Sequence, residues 1–134
     1  MILTSKGRYA VETMSQMAQL SEDNKPVSLA LIAKEQQKSF SYLERLFAQL
    51  RKAKIVDSVK GPGGGYIFLK EYSNITIYEI ILAVEESIKM TSCTKTQNCF
   101  GKSTKCQTHK LWKGLENNIK SYLESVTIND LKKI

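Results

Sequence analysis

Every cysteine of the chain and its only histidine fall within one short stretch, as Cys93, Cys99, Cys106 and His109, with the spacing C-x5-C-x6-C-x2-H. Scattered cysteines usually serve as small buried hydrophobes. Gathered in one segment with the sole imidazole, they point to ligation. Thiolates are soft donors that suit zinc or iron–sulfur clusters. Three thiolates and one imidazole make four ligands, enough for a tetrahedral zinc or for the four terminal positions of a 2Fe–2S cluster. Structural zinc sites usually use cysteine pairs about two to four residues apart. The wider spacing here leaves slack for the larger cluster, and unliganded redox thiols are the remaining reading. An odd count cannot pair fully within one chain, so a disulfide framework is not expected. Cys106 and His109 could formally make a nucleophile pair, but no oxyanion-type loop or orienting residue lies nearby. The sequence therefore reads as a non-enzyme.

A second constellation lies between residues 39 and 66. Leu43, Leu46, Phe47 and Leu50 recur at helical spacing, and Tyr42, Arg45, Gln49 and Lys52 occupy the other face. Ser41-Tyr42-Leu43-Glu44 matches the S-x-x-E capping box, which starts this helix at Ser41. Beyond it, Gly61-Pro62-Gly63-Gly64-Gly65 separates two short runs with strand character, residues 55–60 and 66–70. The glycine run lacks P-loop spacing and leads into a strand, not a helix, which argues against a nucleotide cradle. A hairpin turn that needs positive φ explains it. As a phosphate-contacting element, a wing whose bare backbone approaches DNA phosphates, with Lys60 beside it, fits better than a P-loop cradle.

The elements that position these residues follow from periodicity. Residues 5–20 read as a first helix with Ser5 as N-cap, and residues 29–37 as a short second helix capped by Ser28. A tight polar turn, Lys38-Ser39-Phe40, precedes the third helix. A fourth helix runs from Ile75 or Thr76 to about Ser87. The cysteines sit in a polar loop, and a long last helix spans residues 109–126. Its apolar stripe (Leu111, Leu115, Ile119, Tyr122 and Val126, widened by Trp112 and Leu123) fits a core face or a dimer seam. Thr127 starts a final short helix. Helix, helix, tight turn, helix and hairpin is the order of a winged helix-turn-helix, whose third helix enters the major groove. The expected fold is mainly α with a small β-hairpin wing. Residues 1–72 form the DNA-binding region, and residues 73–134 form a helical dimerisation region that carries a cluster-binding loop at 91–109.

The chain's 134 residues allow one domain, or a small domain with an appended segment. Its net charge is +7, and the excess is spread over both halves, as on a surface that attracts a polyanion such as DNA. Most of the cations are lysines. Bidentate contacts to guanine must come from Arg8, Arg45 or Arg51. No apolar run approaches the roughly 18 residues of a membrane span, and no signal core opens the chain. The expected location is the cytoplasm, without a membrane partner.

Leu3 to Val11, Ser41 to Phe47, Lys60 to Tyr66 and the Cys93/Cys99/Cys106/His109 set together resemble the iron–sulfur-sensing members of the Rrf-two family of bacterial winged-helix regulators. The resemblance covers residues 1 to about 131. It implies a homodimer whose C-terminal helices cross, bound to a double-stranded operator. It also implies a 2Fe–2S cluster on Cys93, Cys99, Cys106 and His109 in each protomer. Some relatives take an acidic ligand from the first helix near position 8; here Arg8 stands there, which favours His109. By position, the resemblance puts Ser39 to Arg51 in the major groove, with Ser39, Ser41, Tyr42, Glu44, Arg45, Gln49 and Arg51 as contacts. It puts the wing, with Lys60, Gly61, Gly63, Gly64 and Tyr66, on the minor groove. Glu44 would discriminate between site types. Lys60 replaces the family's usual arginine, keeping the charge but losing the planar fork. The implied targets are genes for cluster assembly. A sensor of nitric oxide or redox state on the same fold, or a small zinc-binding interaction protein, are the alternative readings.

Overall fold

The computed structural model describes residues 5–21, 25–85 and 108–131. Helix α1 spans Ser5–Leu20, α2 Leu29–Gln36 and α3 Phe40–Lys52. Strands β1 (Val56–Val59) and β2 (Gly65–Phe68) follow, then a 3-10 turn at Tyr72–Asn74. Helix α4 covers Ile77–Val84, α5 His109–Ser125 and α6 Ile128–Leu131.

The apolar faces read from the sequence become one core. Met14 and Met17 of α1, Ile32 of α2, and Leu43, Leu46, Phe47 and Leu50 of α3 are all fully buried, with Ile80 and Ile81 of α4 and Ile128 of α6. Each such side chain contributes roughly 1.5–3 kcal/mol through its burial. Helix α4 is the hub, packing against α1, α3 and α5. Thr13 is the buried polar exception on α1, and its hydroxyl donates to Gln36 Oε1 at 3.0 Å, tying α1 to the end of α2.

The connection between α2 and α3 is tighter than expected and starts α3 earlier. Gln37 takes the left-handed conformation (φ 55°) and closes α2, its N–H donating to the Ala33 carbonyl. Ser39 is then the extended N-cap of α3, and its hydroxyl accepts from Tyr42 N at 3.2 Å. The expected capping box at Ser41 and Glu44 is therefore not formed. Ser41 lies inside the first turn, and both side chains face solvent. The S-x-x-E pattern was satisfied in letters, but an equally good cap two residues upstream took the role. A reciprocal box does form at the start of α4. There Thr76 Oγ1 accepts from Glu79 N at 3.2 Å, and Glu79 accepts from Thr76 N at 2.9 Å. Ser5 is likewise already helical.

The wing is an antiparallel hairpin in which Val56 faces Phe68 and Val59 faces Gly65. Strand β1 stops at Val59 because the turn draws in residues 60–64, with Gly64 N bonding back to Gly61 O at 2.9 Å, whereas β2 gains Gly65 and ends at Phe68. The hairpin is also stitched to the segment before α2, where Val27 and Tyr66 exchange two backbone bonds of 2.9 and 2.8 Å. That approach requires glycine at 65: a Cβ there would stand 2.3 Å from the Val27 carbonyl oxygen. After α5 the chain returns to the head of α4. Ile77 N donates to Val126 O at 2.9 Å, and Ile128 N donates to Ile75 O at 3.0 Å. Thr127 and Asp130 cap α6 reciprocally.

Candidate nucleic-acid interface and metal centre

Burial of Leu43, Leu46, Phe47 and Leu50 turns the opposite face of α3 to solvent. Ser41, Glu44 and Arg45 are exposed, while Tyr42 and Gln49 are half-buried on the side toward α1. Ser39, exposed beside them, carries the cap bond. Arg51 is not free: its Nε pairs with Asp57 Oδ1 of β1 at 2.9 Å, bracing the end of α3 against the wing. At the wing tip Lys60, Gly61 and Gly63 are exposed and Gly64 is half-buried. Tyr66 turns inward, with its ring 4.7 Å from that of Phe47, so it anchors the wing to the core.

The structure brings three residues to this face that the sequence reading left out. Lys6 and Tyr9 of α1 and Lys38 of the turn join Tyr42 and Arg45. A cleft of about 200 Å³ is lined by Lys6, Tyr42, Arg45, Leu46 and Gln49. A shallower one of about 350 Å³ beside it is lined by Ser5, Tyr9, Lys38, Ser39, Tyr42 and Arg45. Lys38 Nζ sits 4.2 Å from the centre of the Tyr9 ring, and Tyr9 meets Tyr42 edge to face at 5.6 Å. Neither lining contains a carboxylate. Tyr42 and Arg45 line both clefts, Lys6 adding a second cation to the first and Lys38 to the second. Such paired cations beside hydroxyls suit a phosphate, which takes charge from Lys and Arg and hydrogen bonds from Ser and Tyr. The only sequence signal was basic and aromatic residues at α1's start; their distance from α3 along the chain hid the cluster.

Of the expected cluster ligands, Cys93, Cys99 and Cys106 lie outside the described residues. His109 is the first residue of α5 and is half-buried. Among the described residues no three His, Cys, Asp or Glu side chains converge as a metal site. The donor set itself, three thiols and an imidazole, fits an iron–sulfur centre in number and softness. Helix α5 divides its apolar arc. Ile119, Leu123 and Val126 pack on the core, whereas Leu111 (60% exposed), Leu115 (38%) and Tyr122 (68%) stay outside. Glu116 takes a buried place on the inner side, and among the described residues no group hydrogen bonds its Oε2.

The sequence pattern of the Rrf2 (Rrf-two) family, described as an iron-dependent transcriptional regulator, matches residues 3–133. The chain belongs to the Rrf2 family. It is 48% identical over 133 residues to the HTH-type transcriptional regulator IscR of Vibrio atlanticus, covering 99% of this chain and 76% of that protein. Against the IscR of Escherichia coli O1:K1 / APEC the identity is 47% over 131 residues, covering 98% of this chain and 80% of the other. Among solved structures, T. potens IscR superimposes with a TM-score of 0.78 at 35% identity, covering 99% of this chain and 87% of that one. CymR, the global cysteine regulator of B. subtilis, gives 0.80 at 31%, covering 98% and 95%. As a member of the Rrf2 family the chain is a winged-helix, DNA-binding transcription regulator and not an enzyme. Among the described residues no helix is long and apolar enough to cross a membrane.

Proposed function

We propose that this Rrf2-family chain is a homodimeric cytoplasmic regulator that reads iron–sulfur status through a 2Fe–2S cluster on Cys93, Cys99, Cys106 and His109, and so controls genes for cluster assembly. The observation that supports the reading is that one helix, α5, carries two features at once. It begins with His109, and it leaves Leu111, Leu115 and Tyr122 exposed along one stripe. On an ideal helix these three lie within about 40° of one another, a seam that a second α5 would cover. A candidate ligand and a candidate dimer seam thus share one rigid element. That element packs on α4, and α4 packs on the reading helix α3.

When bound, the cluster supplies chemistry that responds to iron, sulfide and oxidants. The protein's own residues do the rest. His109 would hold the start of α5, and α5 would set the distance between the two α3 helices of a dimer. Two helix-turn-helix units read half-sites about 34–36 Å apart, so a small change at the seam alters which operators fit. On each half-site, Ser41, Glu44, Arg45 and Gln49 would face the major groove, with Glu44 positioned to accept from cytosine N4. The adjoining clefts that share Tyr42 and Arg45, one with Lys6 and the other with Lys38 and Ser39, would hold backbone phosphate. Lys60 and the bare backbone of Gly61, Gly63 and Gly64 would meet the flanking strand, while Tyr66 and the Arg51–Asp57 pair hold the wing in place.

The test is an absorption spectrum of anaerobically purified protein, with iron and acid-labile sulfide counted, for wild type and His109→Ala. Visible charge-transfer bands, two irons and two sulfides per protomer, and a spectrum altered by the substitution are expected. A colourless protein holding one zinc, or no metal, would overturn the sensor reading and leave a DNA-binding regulator with another signal. A cluster that forms but reacts only with nitric oxide or oxidants would overturn the assembly-gene assignment.

A further inference from the structure

Helix α3 carries one large apolar side chain outside its core face. Phe40 is the first residue of the helix and is 49% exposed. The other phenylalanine of α3, Phe47, is fully buried. Among the described residues Phe40 has no aromatic partner; the ring contacts join Tyr9 to Tyr42, Phe47 to Tyr66 and Phe68 to Tyr72. Its place is set by the unexpected helix start. Because Ser39 and not Ser41 caps α3, Phe40 is held in the first turn with helical geometry. On an ideal helix Phe40, Glu44 and Arg51 lie within about 40° of one another. Arg51 is paired to Asp57 of the wing, so this row is the wing-side edge of the reading face.

A phenyl ring can offer a base edge only apolar contact. In the major groove the apolar group on a base edge is the 5-methyl of thymine. The first residues of a recognition helix are those that reach base edges. We infer that Phe40 is a specificity-determining residue that selects a thymine in each half-site through its methyl group. This rests on the reading that α3 enters the major groove. It adds a sequence requirement that the polar residues of α3 do not impose, and it explains an aromatic ring kept half in solvent at the tip of the helix.

The full-length protein would be used to select duplexes from a randomised pool, and each thymine of the selected site would then be replaced in turn by deoxyuridine. One invariant A·T pair per half-site is expected. Removing that methyl should weaken wild-type binding about fourfold per half-site, the worth of one buried methyl-sized group. The same replacement should have no effect on Phe40→Ala, while Phe40→Leu, which keeps an apolar tip, should retain discrimination. A selected site with no fixed A·T pair would overturn the inference, as would deoxyuridine costs that are the same in wild type and Phe40→Ala. Glu44→Ala separates the role of Phe40 from the placement of α3. If it relaxes base preference while the deoxyuridine scan is flat, only the role of Phe40 falls; if it leaves base preference unchanged, the placement of α3 in the groove falls with it. Should Phe40→Ala fail to fold by circular dichroism, the wild-type scan and Phe40→Leu decide the matter.

Discussion

Replacing Lys38 by alanine tests the cationic hollow between α1 and α3 directly. Lys38 Nζ lies 4.2 Å above the Tyr9 ring at an exposed site, an interaction worth roughly 0.5–1 kcal/mol to the folded protein. Loss of thermal stability should therefore be a few degrees at most. The effect on DNA should be larger and of a different kind. Each neutralised phosphate contributes about −0.9 to the slope of log affinity against log salt. A homodimer with one Lys38–phosphate contact per protomer loses two, a slope change of about 1.8. Between about 50 and about 200 mM salt, a fourfold rise, wild type should then lose about twelvefold more affinity than the variant. Fluorescence anisotropy on a selected duplex over that range measures both lines, and Lys38→Arg should restore the wild-type slope. Parallel lines for wild type and Lys38→Ala would refute the phosphate reading, because the residue would then act only through its packing on Tyr9.

Three further outcomes follow from particular contacts. Gly65→Ala places a Cβ 2.3 Å from Val27 O and disrupts both Val27–Tyr66 bonds, so a thermal melt should show a loss of about 2–4 kcal/mol and weakened DNA binding through the displaced wing. Leu111→Asp alters a side chain already 60% exposed, so helical content should persist while sedimentation velocity shifts from dimer to monomer; an unchanged dimer would place the seam elsewhere. Ser39→Ala removes the N-cap acceptor for Tyr42 N and should cost about 1 kcal/mol in denaturant unfolding, whereas Ser41→Ala should cost much less.

Most of the fold was legible because its signals are local. The stripes of α1, α3 and α4 each repeat within a few residues, the glycine run between two apolar segments marks a hairpin, and the capping serine of α2 precedes its first apolar residue. The start of α3 departs from the local pattern for a reason of the same scale. Two serines two residues apart both satisfy local capping rules, and the choice falls to Ser39 because Gln37 can turn left-handed and end α2 there. The candidate site was legible only where its residues are close in the chain. Ser41, Glu44, Arg45 and the wing tip could be named in advance. Lys6 and Tyr9 could not, since they lie more than thirty residues from Tyr42 and Arg45, and only the packing of α1 across the core brings them together.

Residue type and local spacing were enough for the order of elements, for the expected set of three cysteines and one histidine, and for a helix with one polar, basic face followed by a hairpin. Each depends on residue type and spacing over a turn or two of chain. The packing of distant segments set the Arg51–Asp57 pair, turned the Tyr66 ring toward Phe47, and left the apolar arc of α5 half covered and half open. Those outcomes turn on which surfaces meet. Surfaces meet through burial summed over the whole core, a quantity no single stretch of sequence contains.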